Sequence, residues 1–303
     1  MFKAYILSYS FNTLIRYSNS AKVFFAENKK LPISTSSLNL YLISEAEKGR
    51  TYTSIESILQ AIKFVSKFLG FTTESLTSKQ INLFLRKYCN LTVKRRDGFQ
   101  KSDLYNLWEK INQKGGYINL SKSDLRSFVI INFCYATLAR FDCASQIKLE
   151  NLEYQNNVFK ITVPKSKTDQ QGNGQKIYLA HKPKFSPHRL LCDYIHIFNL
   201  SEESYLFPPL KWNKIDKAWI SVENKQLSYS AAYTGFKKLM KKFGINSTFL
   251  SLHSPRIGAT TDMFQSGVSH HIIDKRGRWR DPKTKFIYAK DSEQFLINTI
   301  CKL

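Results

Sequence analysis

The sequence predicts a multi-domain, mainly α protein: an N-terminal all-helical domain, then a larger α+β domain carrying one small antiparallel sheet. Three observations predict this. Residues 1 to about 90 hold only helix-period patterns. A basic stretch with no apolar period, "NLTVKRRDGFQKSD" at 90–103, interrupts the chain. Beyond it the chain is helical again, except for 151–180, which turns to short β-rich runs.

The first domain, 1–93, reads as four helices. "NSAKVFFAENKK" offers a Ser/Asn start and an apolar face, and "STSSLNLYLISEAEKG" begins on serine caps and stops at Gly49. In "TYTSIESILQAIKFVSKFLG", Ile55, Ile58, Leu59, Ile62, Val65 and Phe68 fall at helical spacing, with Gly70 as terminator. "TSKQINLFLRKYC" is the fourth. A basic linker at 94–103 follows, in which Lys94, Arg95 and Arg96 precede Asp97-Gly98, a turn signal. It is either a solvated loop or a segment that crosses a polyanion.

The second domain, 104–303, opens on helices through Leu138. Strands are expected near 151–155, 158–164 and 175–180, broken by Asn156-Asn157 and Gly172-Asn173-Gly174. Helices are then expected at about 187–198, 228–243, 255–266, 270–276 and 282–290.

Composition narrows the function. With 46 Lys plus Arg against 23 Asp plus Glu, the formal charge is +23, which calls for a polyanionic partner. The longest apolar run, "FVIINFCYATLA" at 128–139, is too short to span a bilayer and reads as a buried helix. The N-terminus lacks the pattern of a signal peptide. Cys89, Cys134, Cys143, Cys192 and Cys301 show no CxxC spacing, so no zinc site is expected and the chain reads as reduced and intracellular. No GxxxxGK[ST] run occurs, and no cofactor is expected.

Candidate chemistry gathers in two stretches, "LHSPRIGATTDMFQSG" at 252–267 and "RGRWRDPKTKFIYAK" at 276–290. Ser254-Pro255 reads as a helix start, so His253 and Arg256 lie where free N–H groups and the helix dipole favour an anion. Arg256 brings a planar fork of donors and His253 another donor. Tyr288 is either packing or a phenol that cations and proton removal make nucleophilic. Trp279 is either a core aromatic or an indole donor to a phosphate oxygen. Arg140 directly follows the buried run, so it pairs with Asp142 or Glu150 or faces a cleft. Lys167, at the glycine-rich turn between strands, is either solvated or a proton donor reaching into a groove. His270-His271 read as surface residues.

Taken in order, Arg140, a hairpin lysine, HxxR, GRW and a tyrosine nine residues after the tryptophan resemble the tyrosine recombinases, or phage-type integrases. The likeness runs over roughly 15–300. "HSPRIGATTDMFQSGVSHHIIDKRGRWRDPKTKFIYAK" is most similar to Cre-like members and to recombinases of DIRS- and Crypton-type mobile elements. The resemblance implies a core-binding domain at 1–93 and a catalytic domain at 104–303. It assigns Arg140 and Arg256 as catalytic arginines, Lys167 as the hairpin lysine with Lys165 as the fallback, His253 as the HxxR histidine, Trp279 as the His/Trp position and Tyr288 as the nucleophile.

The implied function is site-specific recombination through a 3′-phosphotyrosyl link, independent of metal and ATP, with double-stranded DNA as partner. Lys94, Arg95, Arg96, Lys165 and Arg278 are the expected DNA contacts. In the C-terminal tail Phe295, Leu296, Ile300 and Leu303 share one helical face, which either packs in cis or docks on a neighbouring protomer; the resemblance implies the latter, a homo-oligomer that is a tetramer on DNA. The protein would work in the nucleus of a eukaryote or otherwise in the cytoplasm. Relatives usually carry an acidic residue three after the first arginine, where this chain has Cys143. That departure keeps a catalytically decayed DNA-binding protein open as an alternative, beside type IB topoisomerase-like activity. Removal of either arginine is expected to leave the fold intact.

Overall fold

The computed structural model describes residues 9–28, 31–71, 79–89, 96–164, 174–182, 185–215, 217–222, 224–279 and 281. The chain divides into two compact units, Met1–Lys94 and Arg95–Leu303.

Four helices build the described part of the first unit: α1 (Phe11–Glu27), α2 (Thr35–Glu47), α3 (Tyr52–Phe68) and α4 (Lys79–Tyr88). Ser10, Ser34 and Thr51 cap the first three, each side-chain oxygen accepting from the backbone N–H three residues on. The α1 helix starts a full two turns before the Asn-Ser signal, because Ser10 supplies the cap. Ile55, Ile58, Leu59 and Ile62 of α3 meet Phe24, Leu38 and Leu42 in the core. The α3 stripe then drifts outward: Phe68, expected on the apolar face, is 38% exposed. Glu45 is buried on α2, paired with Lys48 at 2.7 Å and with Arg50. Burial alone would raise its pKa, but the Lys48 hydrogen bond and the Arg50 charge hold it low.

The second unit is organised around one helix. Its elements are α5 (Lys101–Asn112), α6 (Lys122–Thr137), the single turn α7 (Phe141–Ala144), β1 (Leu152–Gln155), β2 (Val158–Val163), β3 (Gln175–Ala180), α8 (Pro187–Phe198), β4 (Leu210–Asn213), β5 (Ala218–Ser221), α9 (Tyr229–Lys242), α10 (Ser254–Gln265) and α11 (His270–Gly277). Every residue of α6 from Leu125 to Cys134 is buried. It packs against α8, α9 and α10. The three-stranded sheet is antiparallel in the order β1-β2-β3, with Phe159, Ile161 and Val163 turned to the core. These strands match the sequence reading. The β4–β5 hairpin was not anticipated: its strands are only four residues long and weakly alternating.

The expected turn at Asp97-Gly98 is instead a segment bonded into the second unit. Asp97 N–H donates to Phe249 O at 3.0 Å and Phe99 N–H to Ser254 O at 2.8 Å. Phe99 is fully buried. The glycines here permit close approach rather than a turn: a Cβ on Gly258 would lie 2.0 Å from the Phe99 carbonyl oxygen. Gly258→Ala is therefore expected to destabilise the second unit by about 1–3 kcal/mol or more, read from its urea midpoint. An unchanged midpoint would contradict the contact.

Candidate active site

The α6 helix ends at Thr137, and Leu138 follows in the left-handed region at φ 51. For a leucine that conformation is strained. It is held by burial of Leu138 and by Thr137, whose hydroxyl donates to Phe133 O at 2.6 Å and accepts from Ala139 N–H at 3.3 Å. Two residues later Arg140 stands at the start of α7.

A helix end leaves its last carbonyls without intrahelical donors and carries partial negative charge. Here arginines fill that role. Arg276 Nη2 donates to Ala136 O at 2.6 Å, Arg256 Nη1 to Leu138 O, and Arg278 Nη2 to Leu138 O at 3.4 Å. Arg256 is fully buried, and its Nη2 also donates to Gly277 O at 2.6 Å. Its guanidinium lies 4.4 Å from the ring centroid of Trp279. This cation–π contact takes place in a desolvated setting, where such contacts are strongest. Trp279 lies tight on Gly277, where an added Cβ would sit 1.8 Å from the ring. Beneath them Leu138, Ala259, Ile273 and Trp279 form a small apolar cluster of their own.

The α10 helix presents His253 and Arg256 to this place. Its cap is His253 rather than the expected Ser254. The Ser254 hydroxyl is turned back to accept from Ser251 N–H at 2.8 Å, so the helix begins one residue earlier, with Pro255 in its first turn. Asp262, on the same helix, accepts from Tyr135 Oη at 2.6 Å and from Lys101 N–H at 2.8 Å. These bonds fix α10 to α6 and α5. Burial raises the Asp262 pKa against these bonds, and the burial of Tyr135, with its bond to Asp262, pushes the phenol far up.

Charge is concentrated at the cluster. Burial, then Arg256, then Arg140, push the His253 imidazole down to about 4, so it is neutral at pH 7. Burial raises the Cys143 thiol, while Arg278, Arg140 and Arg256 pull it back. Arg278 is lowered by burial, with Cys143 opposing and Arg140 adding to the effect. Arg140, His253, Arg256, Arg278 and Trp279, read separately in the sequence, are thus brought together.

Other expected residues fall elsewhere. Arg96 is exposed, and its charge acts on Tyr229 rather than on the cluster. Lys94, Arg95, Lys165, Lys167 and Tyr288, the helix expected at 282–290 and the tail lie outside the described residues. Val163 and Gln175, which flank the segment of Lys165 and Lys167 in sequence, are paired. Arg140 does not take the ion pair considered for it: Glu150 pairs with Lys148 at 3.5 Å and Asp142 is exposed. Arg256, expected to be removable without harm to the fold, is fully buried and its guanidinium bonds to the Leu138 and Gly277 carbonyls at the ends of α6 and α11. Three positioning residues escaped the sequence reading: Arg276, Tyr135 and Asp262. Only Arg276, three before Trp279 in "RGRW", carried a signal.

The model of the phage integrase family matches residues 99–294. The chain belongs to the phage integrase family. It is thereby one of the tyrosine-type DNA recombinases. Among solved structures, a lambda integrase dimer bound to a COC′ core site shares 14% identity over 95% of this chain and 93% of that one, with TM-score 0.64. The Tn1549 transposon integrase in complex with transposon right end DNA shares 12% over 97% and 94%, with TM-score 0.64. The XerH recombinase bound to palindromic difH substrate shares 16% over 95% and 78%, with TM-score 0.63. At these identities the likeness is one of fold, mainly helical with a small antiparallel sheet. No curated protein matches. No helix among the described residues is long and apolar enough to cross a membrane.

The geometry separates the two arginines. Arg256→Ala strips donors from two buried carbonyls at roughly 1–3 kcal/mol each and is expected to lower stability by about 2–5 kcal/mol in chemical denaturation. Arg140→Ala breaks no side-chain bond among the described residues and is expected to stay within about 1 kcal/mol of wild type. Equal losses would contradict the assignment of the structural role to Arg256 alone.

His253 gives a pH signature. Its folded pKa of about 4 lies below the unfolded value near 6.5, so the unfolded chain takes up a proton that the folded chain refuses. The stability linked to this group is complete above about pH 6.5 and is lost as pH falls towards 4. Relative to His253→Gln, wild type is expected to lose up to about 3 kcal/mol across that window. Parallel pH profiles for the two proteins would show that His253 is not held neutral.

Proposed function

We propose that this protein is a site-specific recombinase that cuts and rejoins DNA through a 3′-phosphotyrosyl intermediate. One observation carries the reading: Arg140 converges at the end of α6 with His253 and Arg256, more than a hundred residues away in sequence, around a neutral imidazole. Arg256 is oriented by carbonyls on two elements, and a guanidinium has more N–H donors than those bonds use. A scissile phosphate beside Arg140 and His253 would meet fixed donors in a desolvated place, where stabilisation of developing charge is greatest.

In this scheme the Tyr288 oxygen attacks phosphorus and the bond from phosphorus to the 5′-oxygen breaks. The leaving 5′-oxygen takes its proton from Lys167. The tyrosine's own proton passes to solvent as the new phosphorus–oxygen bond forms, while His253, held neutral, serves as a hydrogen-bond donor to the phosphate. Attack by the 5′-hydroxyl of a second strand reverses the chemistry and completes the exchange. The phosphoester bond energy stays in the protein–DNA link, so the scheme requires no metal and no nucleotide. We infer that four protomers act together on duplex DNA, held through the C-terminal tail, and that the protein works in the nucleus of a eukaryotic host or otherwise in the cytoplasm.

The test uses a nicked suicide duplex, from which the short 5′-hydroxyl fragment diffuses away and blocks reversal. Wild-type protein is expected to become covalently attached through Tyr288, mapped by mass spectrometry. Tyr288→Phe is expected to bind the duplex and form no adduct, since phenylalanine has no nucleophilic oxygen. An adduct at Tyr229 or Tyr233 would overturn the nucleophile. A bound but never attached wild type would leave the decayed, binding-only reading in its place.

A further inference from the structure

The β4–β5 hairpin stands outside the chemistry above, and its surface is unusual for this protein. Its register places Trp212 opposite Trp219 and Leu210 opposite Ser221. Directly opposed residues share a face, so both indoles lie on the side of Leu210. Leu210 packs against the core, and one strand step further out the core has ended. Trp212 is 49% exposed and Trp219 44%, with their rings edge to face at 5.6 Å. Ile215, in the turn, is 90% exposed. Asn213 Oδ1 shapes that turn by accepting from Ile215 N–H at 3.0 Å.

A cross-strand aromatic pair stabilises an isolated hairpin, which is marginal on its own. That role accounts for the ring contact. It does not account for the surroundings. Lys211 on the reverse face and Lys214 and Lys217 in the turn are all exposed. Through Gln226 the segment adds Lys225, against Asp216 and Glu223. Exposed indoles ringed by lysines suit a partner that offers both phosphate charge and stacked apolar surface. Phosphates bind the cations, and bases and sugars accept the rings.

We propose that the β4–β5 hairpin is a DNA-contacting arm of the second unit. Lys214 and Lys217 in the turn meet phosphates while Trp212 and Trp219 pack on the sugar–base edge of the duplex. This rests on the reading of the chain as an enzyme acting on DNA, and adds a contact surface separate from the arginine cluster. A second copy of the chain is the competing occupant, and the experiment distinguishes it.

The full-length protein is titrated with a 40-base-pair duplex, with binding followed by DNA anisotropy. Quenching of tryptophan fluorescence by acrylamide is measured alongside. Trp279 is buried and Trp108 half-buried, so the hairpin indoles dominate the quenchable signal. Saturating DNA is expected to reduce the quenching constant at least twofold, and Trp212→Phe/Trp219→Phe is expected to abolish that change. Lys214→Gln/Lys217→Gln is expected to flatten the slope of log affinity against log salt by about 1–2, near 0.9 for each phosphate that is no longer neutralised. Saturated binding with unchanged quenching and an unchanged salt slope would overturn the arm while leaving the DNA reading intact. Protection that rises with protein concentration in the absence of DNA would assign the face to a second copy and overturn the proposal. A chain that does not bind the duplex at all would overturn both readings.

Discussion

The end of one buried helix governs the second unit. Where α6 stops, the carbonyls of Ala136 and Leu138 are left without helical donors, and three arginines from α10 and the end of α11 supply them. The Arg276 bond lies at the surface, whereas Arg256 is fully buried; in that low-dielectric place neither its guanidinium nor the Leu138 carbonyl would be stable alone. Their union fixes the approach of α10 and α11 to α6 and delivers His253, Arg256 and Trp279 to the place where Arg140 leaves the helix. The strained Leu138 turn belongs to the same device, because its carbonyl is the shared acceptor.

This arrangement bears on the missing carboxylate. Where relatives usually carry an acid, Cys143 is buried and feels Arg140, Arg256 and Arg278, yet burial keeps its thiol protonated. No side-chain anion therefore offsets the guanidiniums from that position. Backbone carbonyls take over the positioning, and more positive potential remains for a phosphate. The depressed His253 has the same cause, since a dry site already holding two guanidiniums disfavours a third cation.

Much of this was legible in the sequence, to different depths. Strands β1–β3 and α8 were readable because each carries a strong local signal: alternation bounded by Asn-Asn and Gly-Asn-Gly, or a Ser-Pro start and an amphipathic face. His253, Arg256 and Trp279 were readable as types at a spacing. Their convergence with Arg140 was expected only through family resemblance, since composition does not reveal which helix end meets which arginine. The Leu138 carbonyl, Tyr135 and Asp262 left no trace, because their roles arise from packing between α5, α6 and α10. The Asp97-Gly98 pair misled for the same reason: glycine was needed for backbone contact with Gly258, not for a turn. The β4–β5 hairpin was missed because its strands show no clean two-residue period.

The central claim is that the guanidiniums at the end of α6 act on a phosphate rather than merely on each other. Arg140 is the one to ask, because its side chain makes no structural bond among the described residues. The most direct measurement is the single-turnover cleavage rate of a nicked duplex by Arg140→Ala, with duplex affinity and urea midpoint measured on the same preparation. A rate roughly 10²–10³-fold lower or beyond is predicted, with stability unchanged and affinity little altered. Cleavage at the wild-type rate by a folded, DNA-bound Arg140→Ala protein would contradict it.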